Sequence, residues 1–149
     1  MLVKQAKQEP QIRRFVALPG MHWIRAATFF VCLDTPWRFR GKSALYKYVG
    51  IGLERWRSGA GPERLRVVRS INRQLKCVIL GAAHSAVAAG NNPFAEQYER
   101  WHDAGLSSRI AYRNVARSYA VTMWGMWKNE SVYPPEWVGR AATGPSQRA

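Results

Sequence analysis

Two long segments of the chain repeat apolar residues with the period of an α-helix. A spacing of three and four residues places such side chains on one helix face, which can then pack against a core. The sequence therefore predicts a mainly α fold, a compact helical domain. The apolar positions are Ile71, Leu75, Val78, Ile79, Ala82 and Ala86 in residues 69–89, and Tyr112, Val115, Ala116, Tyr119, Met123 and Trp127 in residues 107–128.

Two shorter helices are predicted at the N-terminus, on either side of Pro19-Gly20. The first covers residues 4–18. The second covers residues 22–33 and is marked by the stripe Ile24, Ala27, Thr28 and Val31. Together they indicate a helix-hairpin-helix-like element, in which turn amides can hold a nucleic-acid phosphate. An ordinary turn between two helices is the alternative interpretation.

The remaining segments are bounded by proline, glycine and capping residues. Residues 41–50 and 93–103 are expected to be helices, and a short helical segment is expected to begin at Thr35-Pro36. The glycine-rich stretch around residues 51–68 is expected to be a loop or a short β-hairpin. Residues 139–149 are small and polar and are expected to be a disordered tail.

The charge of the chain is strongly unbalanced. Its 149 residues contain 23 Lys and Arg against 9 Asp and Glu, which gives a net charge of +14. Such a field attracts polyanions, so nucleic acid is the expected partner. A basic peripheral-membrane or interaction protein is the alternative from another class. Because no apolar stretch reaches the roughly 18 residues of a membrane span, we expect no membrane partner. With nucleic acid as the partner, the expected location is cytoplasmic, on the bacterial nucleoid.

Cationic side chains fall into two rows without an acidic residue between them. A solvated helix face normally mixes charges of both signs, so phosphate contact is favoured over simple solvation for both rows. One row is Arg66, Arg69, Arg73 and Lys76, provided that the helix at residues 69–89 extends back to them; the other is Arg109, Arg113 and Arg117.

The cysteines and histidines show no pattern of metal ligation. Cys32 and Cys77 lie in apolar runs and are expected to be reduced, buried side chains. His22, His84 and His102 are scattered without ligand spacing, so no metal site is predicted.

One serine stands in a loop rich in glycine and arginine. Ser58 lies between Arg57 and Gly59, with Arg55 and Arg64 close in sequence. A hydroxyl in such an electropositive loop can hold a phosphate or attack one, and a plain turn serine is the third possibility. No cluster of histidine or carboxylate around it offers an evident general base.

The order of several motifs along residues 2–138 resembles one family of recombinases. These motifs are Leu18-Pro19-Gly20-Met21, Tyr48-Val49-Gly50-Ile51, Arg57-Ser58-Gly59, Asn72-Arg73-Gln74-Leu75, Ala82-Ala83, Tyr98 through Gly105, Ala111 through Arg117, and Tyr133-Pro134. The series resembles the C-terminal half of the insertion-sequence transposases of the 110/116/902 group. Those proteins combine a RuvC-like DEDD domain with a serine-bearing domain.

The resemblance implies DNA transposition and recombination as the activity. It implies that Ser58 is the nucleophile, which attacks a DNA phosphodiester and forms a phosphoserine bond. It also implies DNA as the partner, a guide RNA, and homo-oligomers among full-length members. The expected nucleic-acid-binding residues are Arg55, Arg57, Arg64, Arg66, Arg69, Arg73, Lys76, Arg109, Arg113 and Arg117.

The sequence departs from the family pattern at its N-terminal side. It contains no acidic cluster like that of the DEDD half, so residues 1–138 are expected to be the serine domain, with residues 1–17 as the end of a linker helix. No cofactor is expected in this chain, because Mg²⁺ belongs to the DEDD domain, and the fragment is expected to be inactive alone. A non-catalytic nucleic-acid-binding helical module, in which Ser58 only contacts phosphate, is the alternative.

Overall fold

The computed structural model describes residues 3–56, 64–67 and 73–133. The mainly helical fold predicted from the sequence is confirmed. The helices are α1 (Val3–Ala6), α2 (Pro10–Val16), α3 (Trp23–Leu33), α4 (Lys42–Val49), α5 (Arg73–Ala89), α6 (Pro93–Asp103) and α7 (Ser108–Asn129), with a 3₁₀ turn at Pro36–Arg38. Two strands, β1 (Leu53–Trp56) and β2 (Arg64–Val67), pair antiparallel with Leu53 opposite Val67 and Trp56 opposite Arg64.

Helix α7 lies at the centre of the core and packs against α2, α4, α5 and α6. The apolar faces predicted for the two long helices are largely confirmed, although Val78, Tyr112 and Trp127 are only half-buried and Ile71 lies outside the described residues. Phe15 of α2 packs edge-to-face on Phe29 of α3, with ring centroids 5.4 Å apart. The buried members of the two faces are Leu75, Ile79, Ala82 and Ala86 on α5, and Val115, Ala116, Tyr119 and Met123 on α7.

The prediction of one helix over residues 4–18 is wrong. Helix α1 ends at Ala6 and α2 begins at Pro10, with the Glu9 carboxylate accepting a hydrogen bond from the Gln11 amide at 3.4 Å. Proline lacks an amide hydrogen and clashes with the preceding turn, so it begins a helix more readily than it continues one.

Helix α3 buries the opposite side from the stripe that marked it in the sequence. Ile24 and Val31 of that stripe are 67% and 56% exposed, whereas Ala26, Phe29 and Leu33 are buried. Burial of the large side chains of Phe29 and Leu33 removes apolar area from water and stabilises this orientation of the helix. The helix itself was predicted correctly, but its packed face was not.

The cationic row Arg66–Arg69–Arg73–Lys76 does not lie on one helix. Arg66 is part of β2, and α5 begins at Arg73. Arg69 lies outside the described residues. The expected continuous row on this helix is therefore wrong, and the described part of α5 keeps only Arg73 and Lys76 from it.

The two cysteines are not both buried. Cys32 is half-buried, and Cys77 on α5 is exposed. The prediction of a buried side chain is wrong for Cys77. The side of α5 that faces the core carries Leu75 and Ile79, and Cys77 lies on another side of the helix.

The Pro19-Gly20 turn is packed tightly between α5 and α7. Gly20 has a φ of +81°, and a Cβ at this position would collide with the Ala82 carbonyl oxygen and lie 2.7 Å from the Ala86 amide nitrogen. The Tyr119 hydroxyl donates a hydrogen bond of 2.7 Å to the Pro19 carbonyl. These contacts give the turn a structural role, and phosphate binding by its amides stays a prediction.

Helix α4 ends in a tight turn that leads into β1. Gly50 has a φ of +86°, a conformation that glycine adopts without the steric cost of a Cβ. The amides of Gly50, Ile51 and Gly52 all donate to the Tyr46 carbonyl oxygen, at 2.9, 3.0 and 3.1 Å. This turn fixes the direction in which the chain enters β1.

Candidate nucleic-acid interface

Helix α7 carries Arg109, Arg113 and Arg117 at successive fourth positions. Arg109 is exposed near the N-terminal end of the helix, and the other two are half-buried. The helix contains no aspartate or glutamate along its 22 residues. Like charges spaced four residues apart destabilise a helix slightly, so the row is not explained by helix stability.

The Arg113 guanidinium is incompletely paired. Its Nη1 atom is buried and has no hydrogen-bond partner within the part of the chain that the structure describes. Burial lowers the pKa of Arg113, and the nearby charge of Arg109 lowers it further. A buried donor without an acceptor costs about 1–3 kcal/mol. An anion bound beside the Arg113 side chain would offset the repulsion from Arg109.

Arg117 has a structural role that spacing did not reveal. Its Nε donates to the Ile51 carbonyl at 2.8 Å, and its Nη1 donates to the Asn114 side chain at 2.7 Å. Burial lowers the pKa of Arg117, while the neighbouring Tyr46 raises it. Arg117 therefore ties α7 to the turn before β1, and its carbonyl partner lies 66 residues away in sequence.

A cluster of rings, formed by His84, Tyr98 and Tyr112, lies where α5, α6 and α7 meet. His84 of α5 stacks on Tyr112 of α7, with ring centroids 3.7 Å apart. The ring centroid of Tyr98 on α6 lies 4.5 Å from that of Tyr112. The Tyr98 hydroxyl donates to the Ser108 hydroxyl at 3.2 Å. Burial raises the pKa of Tyr112, and the hydrogen-bonded Tyr98 raises it further. Sequence reasoning assigned Tyr112 to the core and gave no role to the other two rings.

The other candidate residues are spread over the strands and the start of α5. Arg73 is exposed and Lys76 is half-buried on α5. Arg57, Ser58 and Arg69 lie outside the described residues. Arg55 is in β1, opposite Leu65, and β2 contains Arg64 and Arg66, which lie opposite Trp56 and Glu54.

Comparison of the chain with models of protein families identifies its family. The model of the Transposase IS116/IS110/IS902 family matches residues 12–99, more than half of the chain. The chain belongs to this transposase family. Searches of curated proteins and of solved structures return no match. In this family member the matched part runs from α2 into α6 and spans Ser58, whereas the arginine row of α7 lies beyond it.

The described part of the transposase shows neither a metal cluster nor a membrane span. No group of three or more His, Cys, Asp or Glu side chains in that part could hold a metal ion. Of the helices within these ranges, none has the length and hydropathy needed to cross a bilayer.

Proposed function

We propose that this transposase family member binds DNA through the cationic side of α7 and the start of α5, and takes part in DNA transposition. The observation that carries the proposal is the arginine row on a helix without carboxylates. Arg109 is exposed, and the buried Nη1 of Arg113 lacks an acceptor among the described residues. Phosphate oxygens supply the matching acceptors, because a planar guanidinium binds them in a bidentate manner.

Structural arginines in the same fold look different. Arg25 donates to the Gly20 carbonyl at 2.8 Å and to the Ser85 hydroxyl at 3.0 Å. Arg117 likewise donates to a backbone carbonyl. Arg113 makes no such contact through Nη1 and its side chain is only half-buried, which supports a role for its charge toward a bound phosphate.

The remaining cations extend the proposed surface. Helix α5 packs against α7, so Arg73 and Lys76 belong to an element adjoining the row. We include as further phosphate contacts Arg55, Arg57, Arg64, Arg66 and Arg69. Arg117 adds positive charge to this surface while it donates a hydrogen bond to the Ile51 carbonyl.

DNA binding is tested by titrating a fluorescent duplex with the full chain at several salt concentrations. Proteins that neutralise several phosphates lose about 10³–10⁵ in affinity between 50 and 200 mM salt. We expect a fall of that kind for duplex DNA and no binding to uncharged vesicles. Tight binding to anionic vesicles together with weak, salt-independent DNA binding would favour the peripheral-membrane alternative.

We further propose that Ser58 is the nucleophile of the transposition reaction. The support is its place in the Arg57-Ser58-Gly59 motif, inside the residues that the family model matches. The Ser58 oxygen forms a bond to phosphorus while the bond from phosphorus to a deoxyribose oxygen breaks. The serine proton ends on the released deoxyribose hydroxyl. A serine hydroxyl needs activation for this step, and nearby guanidinium groups stabilise the developing negative charge.

The nucleophile is tested by searching for protein–DNA adducts. Because the chain is expected to be inactive without the metal-binding DEDD half, labelled DNA is incubated with a full-length family member into which this segment is grafted as the wild type, as Ser58→Ala, or as the control Ser43→Ala, which changes an exposed serine of α4. We expect a protease-sensitive covalent adduct with the wild type and Ser43→Ala, and none with Ser58→Ala. Equal adduct from all three proteins would remove Ser58 from the reaction, and DNA binding without any adduct would favour the non-catalytic module.

Guide-RNA binding and homo-oligomer formation are also proposed from the resemblance. Structured RNA replaces duplex DNA in the same titration, and sedimentation of the full chain with and without nucleic acid reports the oligomeric state. Salt-independent or absent RNA binding, or a single monomeric species under every condition, would contradict the respective proposal.

A further inference from the structure

We infer that the ring cluster of His84, Tyr98 and Tyr112 is a stacking site for an unpaired base, with Arg109 and Arg113 holding the adjacent phosphate. The inference rests on the proposed nucleic-acid binding and specifies the form of nucleic acid that this surface recognises. It concerns a place on α5, α6 and α7, away from the serine motif in sequence.

The three rings form a supported platform at the surface. His84 and Tyr112 are stacked with an interplanar angle of 25°, and Tyr98 is tilted by 36° against Tyr112. Each ring comes from a different helix, so packing of the three helices holds the cluster together. His84 is exposed, and the two tyrosines are half-buried. Aromatic side chains in this setting stack on bases of any sequence, because every base has a π-face.

The cations next to the platform match the rest of a nucleotide. Along α7, Tyr112 follows Arg109 by three positions and precedes Arg113 by one. Residues three apart are neighbours on a helix surface, so Arg109 and Tyr112 lie side by side. Arg113, one helical turn beyond Arg109, adds a second positive charge. An aromatic surface beside two guanidinium groups fits a base together with its own phosphate.

The geometry favours an unpaired base over a duplex. In a double helix both faces of each base are covered by the neighbouring base pairs, so a protein ring can reach a base only when it is single-stranded or flipped out. The competing explanation is that the contact between His84 and Tyr112 only packs α5 on α7. That explanation predicts an effect of His84 on stability and none that depends on the form of the nucleic acid.

The test compares three proteins with three probes. Fluorescent single-stranded DNA, single-stranded RNA and duplex DNA of the same sequence are titrated with the full-chain wild type, His84→Ala and His84→Phe. We expect His84→Ala to weaken binding of at least one single-stranded probe roughly tenfold, in the range of one lost stacking contact. Duplex affinity and the salt dependence should stay within about twofold of the wild-type values. His84→Phe keeps a flat ring and should restore most of the single-strand affinity.

The outcomes separate this inference from the proposed function. Equal losses for single strands and duplex, no loss for any probe, or a His84→Phe protein as weak as His84→Ala would overturn the stacking site. If duplex DNA is still bound with steep salt dependence in those cases, the proposed DNA binding survives. If the wild type binds none of the three probes at low salt, both the stacking site and the proposed DNA binding are overturned.

Discussion

Arginine has two distinct roles at the scale of single residues. Arg25 donates to the Ser85 hydroxyl and Arg117 donates to the Ile51 carbonyl, and both bonds join parts of the chain that are distant in sequence. Arg109 is exposed, and Arg113 keeps a buried nitrogen without a partner among the described residues. Spacing along the chain cannot separate these roles, because it shows which arginines share a helix face and not which carbonyl lies opposite.

The backbone around Gly20 has no room for a side chain. An alanine there must adopt a φ near +81° and push its Cβ against the backbone of α5. The positive φ costs about 1 kcal/mol, and overpacking adds about 1–3 kcal/mol. We expect Gly20→Ala to lower the free energy of unfolding by about 2–4 kcal/mol, measured by urea denaturation.

Gly105 provides the matched control for this substitution. It has a φ of +92°, and a Cβ there would meet no atom within 4 Å. Gly105→Ala should therefore lower the free energy of unfolding by only about 1 kcal/mol, the cost of the positive φ. If both substitutions lower the free energy of unfolding by the same amount, the close contact of Gly20 with α5 does not affect stability.

At the scale of elements, helix ends were predictable because their signals are local. The Thr35 hydroxyl accepts from the Trp37 amide at the start of the 3₁₀ turn, and Asn92 accepts from the Phe94 and Ala95 amides at the start of α6. Gly50 closes α4 in the left-handed conformation. Each of these ends depends on residues two to four positions apart, which the sequence displays directly.

Packing between elements was less predictable, because it depends on partners that are remote in sequence. The α3 stripe at Ile24 and Val31 has helical spacing, yet the helix packs through Phe29 and Leu33. Pro10 is itself a local signal, because proline begins a helix more readily than it continues one, and α2 begins at this residue. Among the candidate site residues, the α7 row was visible in the sequence, whereas the ring cluster formed by three separate helices was not.

The link between α7 and the turn before β1 depends on Arg117. Arg117→Gln removes its Nε bond to the Ile51 carbonyl, and a hydrogen bond from a charged donor contributes about 1.5–3 kcal/mol. Because Arg117 is half-buried, we expect the free energy of unfolding to fall by about 1–2 kcal/mol. Arg117 also opposes the rise in the pKa of Tyr46 caused by burial. The pKa of Tyr46 should therefore rise further in the variant, as followed by ultraviolet absorbance.

Arg109→Gln is the control for the Arg117 substitution. It removes the same charge from an exposed position of the same helix and should change the free energy of unfolding by less than about 0.5 kcal/mol. A loss of stability as large as that of Arg117→Gln, or an unchanged Tyr46 titration in Arg117→Gln, would contradict the anchoring role of Arg117.

At the scale of the whole molecule, the chain has a net charge of +14, and its described part is built around an apolar core in which α7 is central. Arg25 and Arg117 use part of that charge in hydrogen bonds that stabilise the fold. The part on Arg109 and Arg113 lies on the helix that contributes most buried residues to the core. A rigid central helix is a suitable support for phosphate contacts, because its side chains are held in fixed positions by the packing beneath them.

The central claim is that this transposase family member binds DNA phosphates through Arg109 and Arg113, and the salt dependence of duplex binding tests it most directly. Each lost phosphate contact reduces the slope of log affinity against log salt by about one. The double substitution Arg109→Gln and Arg113→Gln should therefore reduce the slope by about two. Arg13→Gln with Arg40→Gln, an equal loss of charge at exposed positions elsewhere, should leave it nearly unchanged. Equal slopes for both double variants would contradict the claim.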